Sequence, residues 1–219
     1  IFSCRGHACI YWNENGKFNS DEPLHVEVMR KAGEEGRSRS QLNITFADVD
    51  GDEVKDMIMA TDNGVEIHSV DDLLTVKTTL AVENARWVTV SDLNGDKLPE
   101  LVVSKFHGDV MYESESPIFW NSPSGFSEKN VSWISTEGAI GNTVGDLNGD
   151  GQSEVIFHNH MSGPVHTTPS YIYYGNKEAD YGPENRLELQ TDHGVVAIVS
   201  DLNLDGYPET IFTAAKGVQ

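Results

Sequence analysis

The sequence predicts an all-β chain built from repeated four-stranded units. Three observations carry that prediction. An acidic nine-residue stretch occurs four times, short apolar runs flank each copy, and a second, aromatic repeat runs out of phase with the first. No stretch reads as a convincing helix.

The acidic copies set the phase of everything else. They begin at Asp48, Asp92, Asp146 and Asp201, which lie 44, 54 and 55 residues apart. Oxygen-bearing side chains recur at positions 1, 3, 5 and 9: Asp48, Asp50, Asp52 and Asp56; Asp92, Asn94, Asp96 and Glu100; Asp146, Asn148, Asp150 and Glu154; Asp201, Asn203, Asp205 and Glu209. A hard cation such as Ca2+ takes about six to eight oxygens. Alternating Asp and Asn in a tight turn can converge on one point, and the acid at position 9 can close the shell. The backbone carbonyls of Val54, Leu98, Gln152 and Tyr207, at position 7, can add a further oxygen. Asp, Asn and Gly are also ordinary turn residues, but turn chemistry alone does not explain an acid at position 9 in every copy. An EF-hand would need its last acid at position 12 and flanking helices. Here the flanks are β-like, so the reading is a calcium-binding β-hairpin, with up to four Ca2+ in the chain. Gly151 and Gly206 stand at position 6, where a left-handed residue is expected, whereas Glu53 and Lys97 stand there in the first two copies and Leu204 replaces glycine at position 4 of the last. The Asp146 copy is the best-formed site.

The strands follow from that phase. Strand A precedes each acidic turn, B follows it, C is the aromatic strand and D completes the unit. In the first full unit they fall near residues 42–47, 57–61, 65–68 and 75–79, with Asp62-Asn63-Gly64 as a hairpin signal between B and C. The second has A near 86–91, B near 101–105, C near 118–121 and D near 131–134. The third has them near 140–145, 155–158, 171–174 and 187–189. A fourth starts with A near 195–200 and B near 210–213. The N-terminus supplies C near 10–13 and D near 25–29, after the end of a B strand near 1–3. Residues 31–41 are charged and rich in Gly and Ser, and read as an exposed connection. The chain is thus one domain or segment of units at about 1–30 (partial), 42–80, 86–135, 139–190 and 195–219 (partial). Four-stranded units at this period are the signature of a β-propeller.

Composition narrows the function. The formal net charge is −20, from 35 acidic and 15 basic residues in 219. A chain this acidic is a poor partner for nucleic acid or an anionic membrane, and no apolar run is long enough for a spanning helix. Cys4 and Cys9 are the only cysteines and read as a small disulfide ring. Calcium and a disulfide together place the chain outside the cell or at its surface, secreted.

These motifs resemble the FG-GAP/VCBS repeat family, which includes the integrin α-subunit propeller. The four acidic loops carry the resemblance over nearly the whole chain. A Phe-Gly element survives as Tyr174-Gly175 and degenerates to Trp12-Asn13 and Trp120-Asn121; a Gly-Ala element survives as Gly138-Ala139. The resemblance implies calcium in the A–B hairpins on one face and ligand binding on the opposite face, through B–C and D–A loops. Family propellers usually have seven blades, so the chain is read as part of a larger ring. The alternative is a closed four-bladed ring in which the C-terminal A and B strands join the N-terminal C and D strands.

The functional expectation is an extracellular binding or adhesion module for a glycan or protein ligand. Two B–C loops are long, and His107, Tyr112, His160 and His166 are their candidate ligand-binding side chains. His158 and His160 read as structural rather than as a transition-metal pair. No nucleophile elbow, zincin motif or phosphate loop is present, so no enzymatic activity is expected. The alternatives are a part of a polysaccharide-processing enzyme and a structural subunit of an extracellular assembly. Asn43 and Asn130 match the glycosylation acceptor pattern, with Asn130 the accessible one and Asn43 buried in an inner strand.

Overall fold

Runs such as Met57-Ile58-Met59-Ala60 and Leu101-Val102-Val103 are apolar on both faces. Such a strand is stable only in a sheet covered on both sides. A computed structural model of the chain shows that arrangement, and it describes residues 2–4, 7–18, 21–27, 43–61, 64–72, 75–107, 112–160, 168–176, 178, 180–191 and 194–214. The N-terminal strands are β1 (Phe2–Cys4), β2 (His7–Ile10), β3 (Asn13–Glu14), β4 (Lys17–Phe18) and β5 (Leu24–Glu27). Unit one comprises β6 (Asn43–Ala47), β7 (Asp56–Thr61), β8 (Gly64–His68) and β9 (Val76–Ala81). Unit two comprises β10 (Ala85–Ser91), β11 (Glu100–Lys105), β12 (Glu113–Phe119) and β13 (Val131–Glu137). Unit three comprises β14 (Ala139–Gly145), β15 (Glu154–Asn159), β16 (Ser170–Tyr173) and β17 (Arg186–Leu189), and β18 (Gly194–Ser200) with β19 (Glu209–Ala214) ends the described chain. The helical content among the described residues is one 3-10 turn, Pro183–Asn185.

Units one, two and three are each a four-stranded antiparallel meander. The apolar clusters lie between sheets rather than within them. Ile58, Val65 and Leu80 of unit one pack with Val88, Leu101 and Phe119 of unit two. Val102, Ile118 and Ile134 of unit two pack with Val155, Phe157 and Tyr173 of unit three. Ala8, Ile10 and Val26 of the N-terminal sheet pack on Met57 and Met59. Each sheet therefore completes its core with its neighbour, as in a β-propeller-like fold. Polar staples run along the first strands of the units. Asn43 Oδ1 accepts from the Val88 N–H at 2.7 Å, Thr89 Oγ1 donates to the Asn142 carbonyl at 3.4 Å, and Thr143 Oγ1 donates to the Ala197 carbonyl at 3.1 Å.

Several details depart from the sequence reading. In unit two the third strand begins at Glu113, not near Ile118. Glu113 and Glu115 are exposed while Ser114 and Ser116 are buried. That period-two alternation is carried by small hydroxyl side chains, which a search for apolar runs passes over. The N-terminal third strand ends at Ile10, and residues 13–18 form a separate hairpin, β3–β4, whose turn residues Asn15 and Gly16 both have positive φ. Among the described residues β18 and β19 pair with each other, and β1, β2 and β5 make a sheet of their own, so the pairing that a closed four-bladed ring would use is not seen among them. Thr61 pairs with Gly64, as the hairpin signal requires, while Asp62, Asn63 and residues 31–41 lie outside the described residues.

The disulfide expectation is corrected as well. No disulfide occurs among the described residues. β1 and β2 pair Cys4 with His7 and Phe2 with Cys9, so the two cysteines sit diagonally. Diagonal Cα separations of about 7–8 Å exceed the usual disulfide range of about 4.4–6.8 Å. The buried Cys9 thiol lies 3.6 Å from His25 Nδ1 instead.

Candidate metal centre

The four acidic stretches fold into one repeated turn. The position-1 aspartate caps two backbone N–H groups. Asp146 Oδ1 accepts from Gly149 N at 2.7 Å and its Oδ2 from Gly151 N at 2.9 Å. Asn148 Oδ1 then accepts from Asp150 N at 2.8 Å, and Asp150 Oδ1 from Gln152 N at 2.7 Å. Glu154 Oε2 closes the turn on Leu147 N at 2.6 Å. The Asp92 turn repeats this pattern with Gly95, Lys97, Asp96, Leu98 and Leu93 as donors. The Asp48 and Asp201 turns follow it closely.

This path requires a left-handed residue at position 4 and another at position 6. φ is +80°, +79°, +74° and +62° at Gly51, Gly95, Gly149 and Leu204, and +67°, +72°, +84° and +91° at Glu53, Lys97, Gly151 and Gly206. A side chain in that region costs roughly 1–2 kcal/mol. Only the Asp146 turn has glycine at both places. The sequence reading located position 6; position 4 is equally demanding, so Leu204 is a strained residue rather than a neutral exchange.

The donor set fits a hard cation. One carboxylate oxygen each from Asp48, Asp50 and Asp56 lies within 4.8 Å of the others. The position-9 acids Asp56, Glu100 and Glu154 are buried. Burial pushes the Glu100 carboxyl up to about 7, and repulsion from Asp96 and Asp92 adds to this against the N–H groups of Leu93 and Asn121. Burial also raises Glu154, with Asp150 and Asp146 acting in the same sense. The buried carboxyls of Glu100 and Glu154, which resist ionisation, are groups that a divalent cation would relieve. The side chains at positions 1, 3, 5 and 9 are the ones that could hold it, and at the Asp48 turn three of them come together.

Three contributors were not visible in the acidic motif. Lys77, on the last strand of unit one, donates to Asp50 Oδ2 at 3.1 Å and to Asp56 Oδ1 at 2.8 Å. The Lys77 ammonium holds Asp50 below its ordinary value, and those two carboxylates raise Lys77. Asn121 is buried and its Nδ2 donates to the carbonyls of Val49 at 2.9 Å and Pro99 at 3.2 Å, tying the turns of units one and two together. Tyr181 donates its hydroxyl to the Ser153 carbonyl at 2.9 Å. Gly175 passes so close that a Cβ there would stand 2.6 Å from the same oxygen, which explains the glycine of Tyr174-Gly175.

The candidate ligand-binding residues gather at the other end of the strands, since B–C and D–A connections lie opposite A–B hairpins in a meander. His107 and Tyr112 stack against each other with ring centroids 5.1 Å apart, and both contact Phe106. Arg86 lies over the Phe106 ring at 5.1 Å. The Gly138 N–H donates to the Tyr112 carbonyl at 2.7 Å, and the His160 N–H donates to the Gly138 carbonyl at 3.1 Å, so the loops of units two and three meet. His166 lies outside the described residues. His158 is buried, and burial lowers it to about 4, in keeping with a structural histidine. Asn130 is exposed at the surface, and its amide donates to the Trp120 carbonyl at 3.0 Å.

No curated protein matches the chain. The family model described as FG-GAP-like repeat matches residues 92–157. That stretch runs from the first aspartate of the second turn, through the last three strands of unit two and the first strand of unit three, into β15 beyond the third turn, and so spans one full period with an acidic turn at each end. Residues 92–157 of this chain are similar to an FG-GAP-like repeat.

Proposed function

We propose that the chain is a calcium-stabilised β-propeller module that binds a glycan or protein ligand outside the cell and is not itself catalytic. The observation that supports this most is the division of labour along the strands. Four turns with one hydrogen-bond pattern close one end, and the aromatic and histidine side chains of two different units gather at the other. Calcium bound to folded turns and not to the open chain would stabilise the fold by mass action. The exposed loops on that rigid frame are where recognition belongs. Membership of a larger ring or assembly is part of the same proposal.

The test has two readouts. Chelator-treated protein is titrated with Ca2+ by calorimetry, and the calcium-loaded protein is applied to glycan and matrix-protein arrays. Calcium uptake with a rise in melting temperature, and array binding that is lost when the loops at 106–112 and 160–168 are trimmed, are the expected results. A melting curve indifferent to chelator rejects the calcium assignment. Absence of any array ligand rejects the binding module. Turnover of an acidic polysaccharide, abolished by Tyr112→Phe or His166→Ala, would replace it with an enzyme.

A further inference from the structure

A cleft of about 620 Å3 opens between the outer strands of units two and three, β12 and β13 on one side and β16 and β17 on the other. Trp133 lines it and is 46% exposed, although it sits in a strand of a well-packed sheet. Glu113, Glu115, Glu137, Tyr171 and Arg186 line it with Trp133. The space between units one and two is instead filled by Phe119, Leu80 and Ile67, with Phe126 and Val131 packed against them.

Its polar groups are held in place. The Tyr171 hydroxyl donates to Glu137 Oε1 at 2.9 Å. The Arg186 guanidinium carbon stands 4.1 Å above the Tyr171 ring centroid, and Arg186 Nη2 donates to Glu188 Oε1 at 2.7 Å. The Tyr173 hydroxyl is fixed on the Ser135 carbonyl. A guanidinium and a carboxylate are thus oriented before any ligand arrives, which lowers the entropy lost on binding.

The charges decide the ligand class. Three glutamates, Lys105 and Arg186 line the same cleft. An anionic ligand would meet the glutamates and a cationic ligand the two cations. A neutral polyhydroxylated ligand can use both signs, because each hydroxyl donates to a carboxylate and accepts from a guanidinium or ammonium. Its flat C–H face can lie on the exposed indole, which offers a large rigid apolar surface. The volume is that of a small-ligand site. We propose that this cleft is a binding site for a short neutral oligosaccharide, stacked on Trp133 and hydrogen-bonded by Glu115, Glu137 and Arg186. This rests on the reading of the chain as a binding module, names its ligand, and moves its place from the loops at 106–112 and 160–168 to the cleft beside them.

The test uses the full chain in calcium on an array of neutral, sulfated and uronic-acid oligosaccharides, alongside matrix proteins, followed by calorimetry with the strongest neutral oligosaccharide. Trp133→Ala is expected to weaken that binding at least tenfold and Glu115→Gln severalfold, with melting temperatures close to wild type. Trp12→Ala, the other exposed tryptophan, is expected to leave it unchanged. Neutral-oligosaccharide binding that survives Trp133→Ala and is lost in Tyr112→Ala would overturn the cleft and keep the module. Binding confined to acidic glycans or to protein would overturn the ligand class. No ligand on either array would overturn cleft and module together.

Discussion

The turns at Asp48 and Asp146 share a backbone path but differ in what faces their carboxylates. At Asp48, the Lys77 ammonium reaches in from β9 and touches two of the acids. The acids of the Asp146 turn make no ion pair among the described residues. The Asp146 turn has glycine at both left-handed positions, whereas the Asp48 turn holds Glu53 at φ +67°. One turn is thus strained and balanced from within; the other is relaxed and leaves its charge for an external cation. The acidic motif alone makes the two look like near-equivalents. Their difference comes from a lysine more than twenty residues away and from one backbone angle.

Chelation has the largest effect. Each site held at about a hundredfold over its Kd adds about 2.7 kcal/mol, so removing calcium from two or more sites is expected to lower the melting temperature by more than about 10 °C. Scanning calorimetry with and without EDTA checks it, and an unchanged curve would mean that even the relaxed turn takes no cation.

Asp146→Ala comes next. In saturating calcium it is expected to lose one bound ion and about 2–3 kcal/mol of stability. Asp48→Ala should lose less, because Lys77 already partners that turn. Equal losses in chemical denaturation would erase the distinction.

The Asp92 turn supplies a pH test. Glu100 holds its proton up to about 7 in the metal-free chain, and a bound cation requires the carboxylate. Calcium binding must therefore release a proton below that pH, and affinity at this turn should fall about thirtyfold between pH 7.5 and 5.5. The sign reverses for the metal-free fold: a raised carboxyl pKa stabilises below the unfolded value of 4.5, and that contribution is lost as pH rises through about 7. Calorimetric titrations in buffers of different ionisation enthalpy read the proton count directly.

Lys77→Met is a smaller perturbation. Removing the internal ammonium is expected to raise calcium affinity at the Asp48 turn about tenfold, or about 1.4 kcal/mol. Without calcium it should lower stability by about 1 kcal/mol, since Lys77 is partly solvated and only Asp56 is buried. A weaker calcium affinity in the variant would show that the lysine supports the turn rather than competing for it. The smallest effect is Leu204→Gly. Leu204 is 86% exposed at φ +62°, so the exchange relieves strain without removing packing. A gain of up to about 1 kcal/mol is expected, after the larger chain entropy of glycine is subtracted; a loss would show that Leu204 makes a contact worth more than its strain.

Much of this was readable beforehand, and for identifiable reasons. The first two strands of units one to three fall where the phase of Asp48, Asp92 and Asp146 puts them, because an acidic turn fixes both strand ends. The third strand of unit two was shortened in the reading because Ser114 and Ser116 are buried by hydroxyl bonds to Thr136, not by apolar surface. Lys77, Asn121 and Tyr181 went unnoticed as parts of the turns because their contacts are long-range and their spacing from each turn is not a repeat. Cys4 and Cys9 lie close in sequence, yet strand register sets them on a diagonal.

The amino-acid sequence by itself determined the period, the four acidic turns, the strands beside them and the oxygens available to a cation, because each depends on residues within one hairpin. Tertiary structure decided which copies of the turn are alike. Leu93 and Leu202 hold the same place in their turns, but Leu93 is 3% exposed under a neighbouring sheet and Leu202 is 62% exposed. The same stacking closes the space between units one and two with Phe119 and leaves a cleft beside Trp133 between units two and three. Hairpin geometry is local and can be read along the chain; burial, internal ion pairs and clefts require two sheets to meet.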